Sequence, residues 1–206
     1  FIFMVLILLA NKLLIKMLIM IFNRFKFYVL TVFLAFVIVG CPYQSEVGLT
    51  DYENAEKFEK NLLGEWVAFH ENGDRDELTI SKLNTKVMDV RSKKFDASGR
   101  VKEANAYRVF GTKIKDVVVY NIENKDIGFI FGKVNWESKN VFNFQYVDEK
   151  LATEKLTSDS ITQQELTNFF TENITEEKMF DKSLEFYRKN SPEHEKIKVY
   201  LKKSGF

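Results

Sequence analysis

Gly64-Glu65-Trp66-Val67-Ala68-Phe69-His70-Glu71-Asn72-Gly73-Asp74 is the stretch that decides the fold. Up to Gly64 the apolar residues recur at helical spacing, and from Glu65 the period changes to two, in short apolar segments of strand length separated by turn residues. Asn72-Gly73 then separates this run from the next, and an Asn-Gly pair accepts the positive φ angles of a tight primed hairpin turn. The alternation continues, broken by turn residues, as far as Leu156. It predicts strands at Glu65–His70, Glu77–Lys82, Lys86–Arg91, Ala104–Phe110, Lys113–Asn121, Ile127–Lys133, Asn140–Val147 and Lys150–Leu156. Asp96-Ala97-Ser98-Gly99 reads as a longer loop and Gly111-Thr112 as a two-residue turn. These connections are too short for crossover helices, so the strands run antiparallel as a meander. A meander keeps two exposed edges unless it closes, and the expected architecture is therefore an up-and-down eight-strand barrel, mainly β with flanking helices.

The flanks read as helical. Thr50 is placed as an N-cap for a helix over Asp51–Leu63, with Asp51 and Glu53 in its first turn and Ala55, Phe58 and Leu62 on one face. After Leu156, Thr162-Gln163-Gln164-Glu165 fits a capping box, with Leu166, Phe169 and Phe170 as the buried stripe. Thr175 is placed as the cap of a second helix with Phe180, Leu184 and Tyr187 on its apolar face. Ser191-Pro192-Glu193 starts a third, with a stop near Gly205. The helical part, about 160–204, is expected to cover one side or the mouth of the sheet.

Ahead of this domain, Asn23-Arg24-Phe25-Lys26 is a short basic segment and Phe27–Val39 carries no charge, the n-region and h-region of a signal peptide. The uncharged run falls well below the roughly 20 residues that span a hydrocarbon core. Ile38-Val39-Gly40-Cys41 follows as a lipobox, with cleavage between Gly40 and Cys41 and a diacylglyceryl group on the Cys41 thiol. Met20 opens a complete signal of ordinary length, so residues 1–19 read as upstream translation, with a transmembrane helix interrupted by Lys12 and Lys16 as the alternative, and 20–40 as the signal peptide. Residues 41–50 then form the lipidated cysteine and a short polar tether, and 51–206 the barrel domain with its helices. The expected location is a membrane surface, the outer membrane facing the periplasm in a two-membrane host or the exterior of a single-membrane one.

Of the 30 Lys and Arg residues, Lys12, Lys16, Arg24 and Lys26 precede Cys41, whereas all 29 acidic residues follow it. The part from Cys41 onward is mildly acidic and leaves no electrostatic footprint for nucleic acid. Its length suits one domain with a sizeable core. The one cysteine is committed to the lipid, so neither a disulfide nor a cysteine metal site is expected.

Gly64-Glu65-Trp66 entering the first strand of an eight-strand meander, with a C-terminal helix, resembles the lipocalin-like (calycin) barrel. The whole domain resembles the small lipocalin-like lipoproteins of bacteria. In lipocalins the tryptophan of Gly-x-Trp closes the barrel floor and packs on an arginine near the end of the last strand. Here the expected last strand, Lys150–Leu156, contains no arginine. The resemblance implies an interior able to hold a small apolar molecule.

Trp66, Phe129, Phe131, Phe142, Phe144 and Tyr146 alternate along strands and are the candidate lining of such a cavity, or else filled core. Phe129 and Phe131 are expected to face inward together with Phe142, Phe144 and Tyr146. His70 and His194 are read as surface or rim residues, and Glu71, Asp74, Asp76 and Glu77 as a solvated hairpin tip lacking calcium-loop spacing, so no metal and no cofactor is expected. The chain has no Gly-x-Ser-x-Gly elbow, no His-Glu-x-x-His and no phosphate-cradling Gly-rich loop, and no catalytic residue is assigned. Three functions stay open. One is a lipid-anchored barrel binding a small apolar ligand, one an envelope interaction module with a filled barrel, and one a hydrolase with an unrecognised site.

Overall fold

The computed structural model describes residues 42–158 and 160–203. The leader, the lipobox with Cys41 and the stop near Gly205 lie outside the described residues. Strand β1 (Gln44–Ser45) is a short outer strand. The barrel consists of β2 (Gly64–Phe69), β3 (Arg75–Lys82), β4 (Val87–Phe95), β5 (Val101–Ile114), β6 (Val117–Asn124), β7 (Gly128–Ser138), β8 (Val141–Val147) and β9 (Phe180–Arg188). Each of these eight strands is hydrogen-bonded to its neighbours in chain order, and β9 pairs with both β8 and β2, so the sheet closes on itself. All pairings are antiparallel. This is the expected up-and-down, lipocalin-like barrel with flanking helices, and closure leaves no edge within the ring.

Two elements exchange places relative to the sequence reading. Residues 150–156, expected as the last strand, belong to helix α1 (Glu149–Lys155), because the Asp148 side chain accepts a hydrogen bond from the Leu151 amide at 2.7 Å and caps the turn. The last strand is instead β9, in the segment expected to be a helix carrying Phe180, Leu184 and Tyr187. Without it β2 and β8 would each expose a row of unpaired backbone groups, and that need overrides a helical spacing of apolar residues. A bulge hides the strand period. Val147 pairs with Phe180, Tyr146 with Asp181 and Gln145 with Ser183, so one extra residue separates the outward Phe180 from the inward Leu184 and Phe186.

The helix expected over Asp51–Leu63 is reduced to a single 3-10 turn at Lys60–Leu62. The preceding segment lies extended, with the Glu56 amide bonded to the Gly111 carbonyl at 2.9 Å. Ala55 packs outside the barrel on Val87 and Phe110, while Phe58 and Leu62 belong to the interior cluster. These residues contact opposite sides of the wall, which one face of a helix could not do.

The turns also differ in type. At the β2–β3 hairpin the Gly73 amide bonds the His70 carbonyl and the His70 amide bonds the Asp74 carbonyl, a three-residue loop in which Gly73 takes the positive φ (83°) and Asn72 does not. Asp96–Arg100 repeats the pattern around Gly99, so the loop expected to be longer is equally tight. Gly111 and Thr112 lie inside β5, opposite Tyr120 and Val119, and the chain reverses at Lys115-Asp116.

Residues 42–50, read as a tether, are bound to the wall. Gln44 and Ser45 pair with Ile130 and Phe129 of β7, the Leu49 amide donates to Asn121 Oδ1 at 2.7 Å, and Tyr43 and Leu49 are buried. Gly128, with φ 79°, lies so close beneath that a Cβ there would meet the Ser45 carbonyl. Helix α2 (Gln163–Asn173) forms as expected on its Thr162/Glu165 capping box, burying Leu166, Phe169 and Phe170. With α1 it covers one side of the barrel, packing on outward-facing Val119, Phe131, Val147 and Phe180. Helix α3 (Pro192–Lys203) begins on Pro192, with the Ser191 hydroxyl accepting from the His194 amide at 3.2 Å. Among the described residues no helix is long and apolar enough to cross a membrane.

Candidate functional site

Strand alternation and barrel closure decide what the interior holds. Trp66, Ala68, Leu78, Ile80, Met88, Val90, Tyr107, Val109, Val118, Tyr120, Ile122, Val134, Trp136, Phe142, Phe144, Leu184 and Phe186 form one cluster inside the ring. It divides into a sealed floor and a more open mouth.

At the floor Trp66 is fully buried, stacks edge-on against Phe142 at 4.7 Å between centroids, and donates its indole N–H to the Leu62 carbonyl at 2.8 Å. Arg188, at the end of β9, stands opposite Trp66 in the register and lays its guanidinium 4.2 Å from the indole. Its two terminal nitrogens donate to the carbonyls of Leu63 (3.0 Å) and Asn61 (2.6 Å), closing the 3-10 turn over the barrel end. Gly64 has φ 126°, and a Cβ there would come within 2.9 Å of Arg188 Nη1. The glycine and tryptophan of Gly-x-Trp thus have one physical purpose, to let an arginine reach the last turn before the first strand. The second tryptophan, Trp136, donates to Glu59 Oε2 at 2.7 Å and adds to the same seal. The arginine absent from Lys150–Leu156 is supplied by Arg188, at the end of the strand whose apolar spacing predicts a helix.

Toward the mouth the inward side chains change character. Leu78, Tyr107, Ile122, Val134, Phe144 and Leu184 point inward but are only half-buried, whereas Met88 (2 %), Phe142 (2 %) and Phe186 (4 %) are sealed. Of the predicted lining residues, Trp66 and Phe142 belong to the sealed floor. Phe144 and Tyr146 line the mouth, sharing a face with Val134 and Gly132. Phe144 lies over Gly132, where a Cβ would collide with its ring, and meets Tyr146 edge-on at 4.9 Å. Phe129 and Phe131 face outward, contrary to expectation: Phe131 packs on Phe170 of α2 at 5.4 Å and Phe129 on Phe110 at 6.2 Å. The register explains this, since Gly132, Val134 and Trp136 are the β7 residues opposite Tyr146, Phe144 and Phe142, leaving the odd positions outside.

The mouth also holds polar groups that the sequence did not mark as a site. His70 Nε2 lies 2.9 Å from Asp76 Oδ2. Burial raises the Tyr146 phenol to about 12, with the nearby Tyr107 and Asp76 adding to the rise. The Tyr107 phenol is raised in the same way, mainly by burial, with Glu103 and Asp76 contributing. Tyr107 was visible in the alternation of its strand, but Asp76 fell just outside the predicted one.

The remaining candidates are accounted for by pairing. Asp74 is buried rather than solvated, and the Lys102 ammonium 3.0 Å away holds its carboxyl below the usual range. Glu77 accepts from Arg75 and Lys189. His194, expected at the surface, is 6 % exposed, stacked on Phe69 at 6.0 Å, with Nδ1 accepting from the Asn190 amide at 3.1 Å. Burial lowers its pKa. Phe69 and His70 point to opposite sides of the wall, so the two histidines do not meet. Among the described residues no group of three His, Cys, Asp or Glu is placed to hold a metal. An outer groove of about 460 Å³ runs between the β2–β3 turn and α3, lined by Phe69, Arg75, Lys198, Val199 and Leu201 among others. Compared with protein-family models, curated proteins and solved structures, the chain matches none of them.

Proposed function

We propose that this chain is a lipoprotein of the bacterial cell envelope, anchored through a lipid on Cys41, whose barrel takes a small apolar ligand into its mouth half. The observation that carries the ligand reading is the half-buried state of Leu78, Tyr107, Ile122, Phe144 and Leu184, which point inward above a floor sealed by Trp66 and Arg188. A barrel filled to crystal-like density would bury these residues as completely as it buries Phe142. Support for the anchor comes from the sequence alone, the basic segment, the uncharged run and Ile38-Val39-Gly40-Cys41. Large exposed apolar side chains are dispersed over Leu83, Val101, Ile127 and α3, which favours ligand binding over an interaction module with one broad apolar patch.

Tyr43 packs against Phe131 at 6.3 Å, so the described chain is bound to the barrel wall from its first residues onward. On this reading the lipid on Cys41 keeps the domain at a membrane surface, in a periplasmic or extracellular setting according to the host.

Native mass spectrometry of the chain released gently in neutral detergent tests the ligand. A small apolar mass that co-purifies and is lost on denaturation is the expected result. A bare protein, or a protein partner in its place, would turn the assignment to an interaction module. Metabolic labelling with an alkyne fatty acid tests the anchor: the wild type takes up label and Cys41→Ser does not, whereas an unlabelled wild type would remove the lipoprotein reading.

A further inference from the structure

The register sets a collar of polar groups around the open half of the interior. Asp76 on β3 stands opposite Ala68 of β2 and Lys94 of β4, and Lys94 stands opposite Glu103 of β5. One level deeper come Leu78, Ser92 and Asn105, and below them Ile80, Val90 and Tyr107. Across the barrel Tyr146 on β8 is opposite Gly132 on one side and Asp181 on the other. A molecule entering from this end passes the charged groups first, then the level of Ser92 and Asn105, with Leu78 opposite Trp66, and beyond it meets mainly aliphatic and aromatic surface down to Phe142. Such a gradient suits an amphiphile lying tail-down, with its polar end at the collar.

The collar also discriminates by charge. Asp76 is half-buried and held by His70, a group that neutralises it only when protonated. Glu103 and Asp181 stand at the same register level but are exposed to solvent, which screens them, and Lys94 faces Asp76 from the neighbouring strand. Both inward phenols feel the Asp76 carboxylate as a charge that opposes a second negative one. An arriving carboxylate would meet the same field while losing its own water, whereas an alcohol, amide or ammonium could donate to Asp76 and accept or donate at the phenols.

We infer that the ligand, on the barrel-binding reading above, is an amphiphile whose polar end is a hydrogen-bond donor without negative charge, held at Asp76, Tyr107 and Tyr146, and that the barrel rejects fatty-acid anions of the same chain length. The test uses three photoactivatable probes sharing one dodecyl chain and ending in an alcohol, an amine or a carboxylate. Each is added to the full chain in lipid nanodiscs, and the cross-links are mapped by mass spectrometry. Alcohol and amine label the β5 and β8 residues around Tyr107 and Tyr146 with a yield at least about ten-fold above the carboxylate, more than a like-charge contact gives in bulk water and less than it gives when desolvated at a protein surface. In Asp76→Asn, checked for folding by tryptophan emission, carboxylate labelling rises several-fold and amine labelling falls. Carboxylate labelling equal to that of the alcohol in the wild type would overturn the charge selection while leaving barrel binding in place. Failure of all three probes to label any inward-facing residue would overturn both.

Discussion

Replacing Arg188 by alanine removes the bond between the two ends of the barrel chain. The guanidinium makes one partly buried hydrogen bond to the Leu63 carbonyl, one exposed bond to the Asn61 carbonyl, and a contact over Trp66 at 4.2 Å. Hydrogen bonds from a charged donor contribute about 1.5 kcal/mol when partly shielded and less when exposed, and a cation over an indole contributes about 1 kcal/mol. The summed loss is about 3 kcal/mol, which for a domain of this size lowers Tm by roughly 6–12 °C. Arg188→Lys keeps a charge near the indole but not the planar fork that reaches two carbonyls, so about half the loss is expected. The assay is thermal unfolding followed by tryptophan emission, which is selective here because the chain has 2 tryptophans and both seal the floor. Arg188→Ala should melt early and show red-shifted emission already in the folded state. A variant that melts within about 2 °C of wild type with unshifted emission would refute the floor lock.

Three further outcomes follow from the same geometry. A Cβ at Gly132 would run into the Phe144 ring and lie 2.6 Å from the Gln145 carbonyl, so Gly132→Ala should cost about 1–3 kcal/mol in chemical denaturation; wild-type stability would mean that Phe144 does not occupy that space. Gly128→Ala, at φ 79° and against the Ser45 carbonyl, should release β1, seen as faster hydrogen exchange at Gln44–Leu49 with the barrel strands unaffected. Unchanged protection there would show that the segment is held some other way. His194 is buried neutral with a lowered pKa, so the unfolded chain takes up its proton first: its contribution is present above the ordinary histidine pKa of about 6.5 and is lost as pH falls below it. Wild type should therefore lose stability as pH falls below about 6.5 in a way that His194→Asn does not, and parallel pH profiles would contradict the buried neutral imidazole.

Seven of the eight barrel strands were legible because short apolar runs bounded by turn residues mark them, as in Glu65–His70 and Asn140–Val147, even where outward residues such as Val67, Val119 and Val147 are buried as well. The α2 helix was equally plain, since its cap and buried stripe are local. Three misreadings share a cause in tertiary structure. The bulge in β9 flips the side-chain alternation between Phe180 and Leu184, so the segment mimics a helix face. Ala55, Phe58 and Leu62 fall at helical spacing although they pack on different sides of the wall. In α1 a seven-residue helix depends on the Asp148 cap, which a reading for alternation overlooks. The candidate site was half legible. Trp66, Phe142, Phe144 and Tyr146 are inward as read, but the facing of Phe129 and Phe131 depends on which β7 residues oppose β8, and register is not contained in either strand alone. Asp76 and His70 flank a turn, and only closure of the barrel brings them to its mouth.

The most direct test of an accessible barrel mouth is hydroxyl-radical footprinting of the chain, stripped of bound small molecules and then reloaded with a neutral long-chain alcohol. Phe144 and Tyr146 should be oxidised in the stripped protein and protected in the loaded one, while Trp66 and Phe142 stay inert in both. Phe144 and Tyr146 as inert as Trp66 in the stripped protein would mean a filled barrel, and would contradict the account.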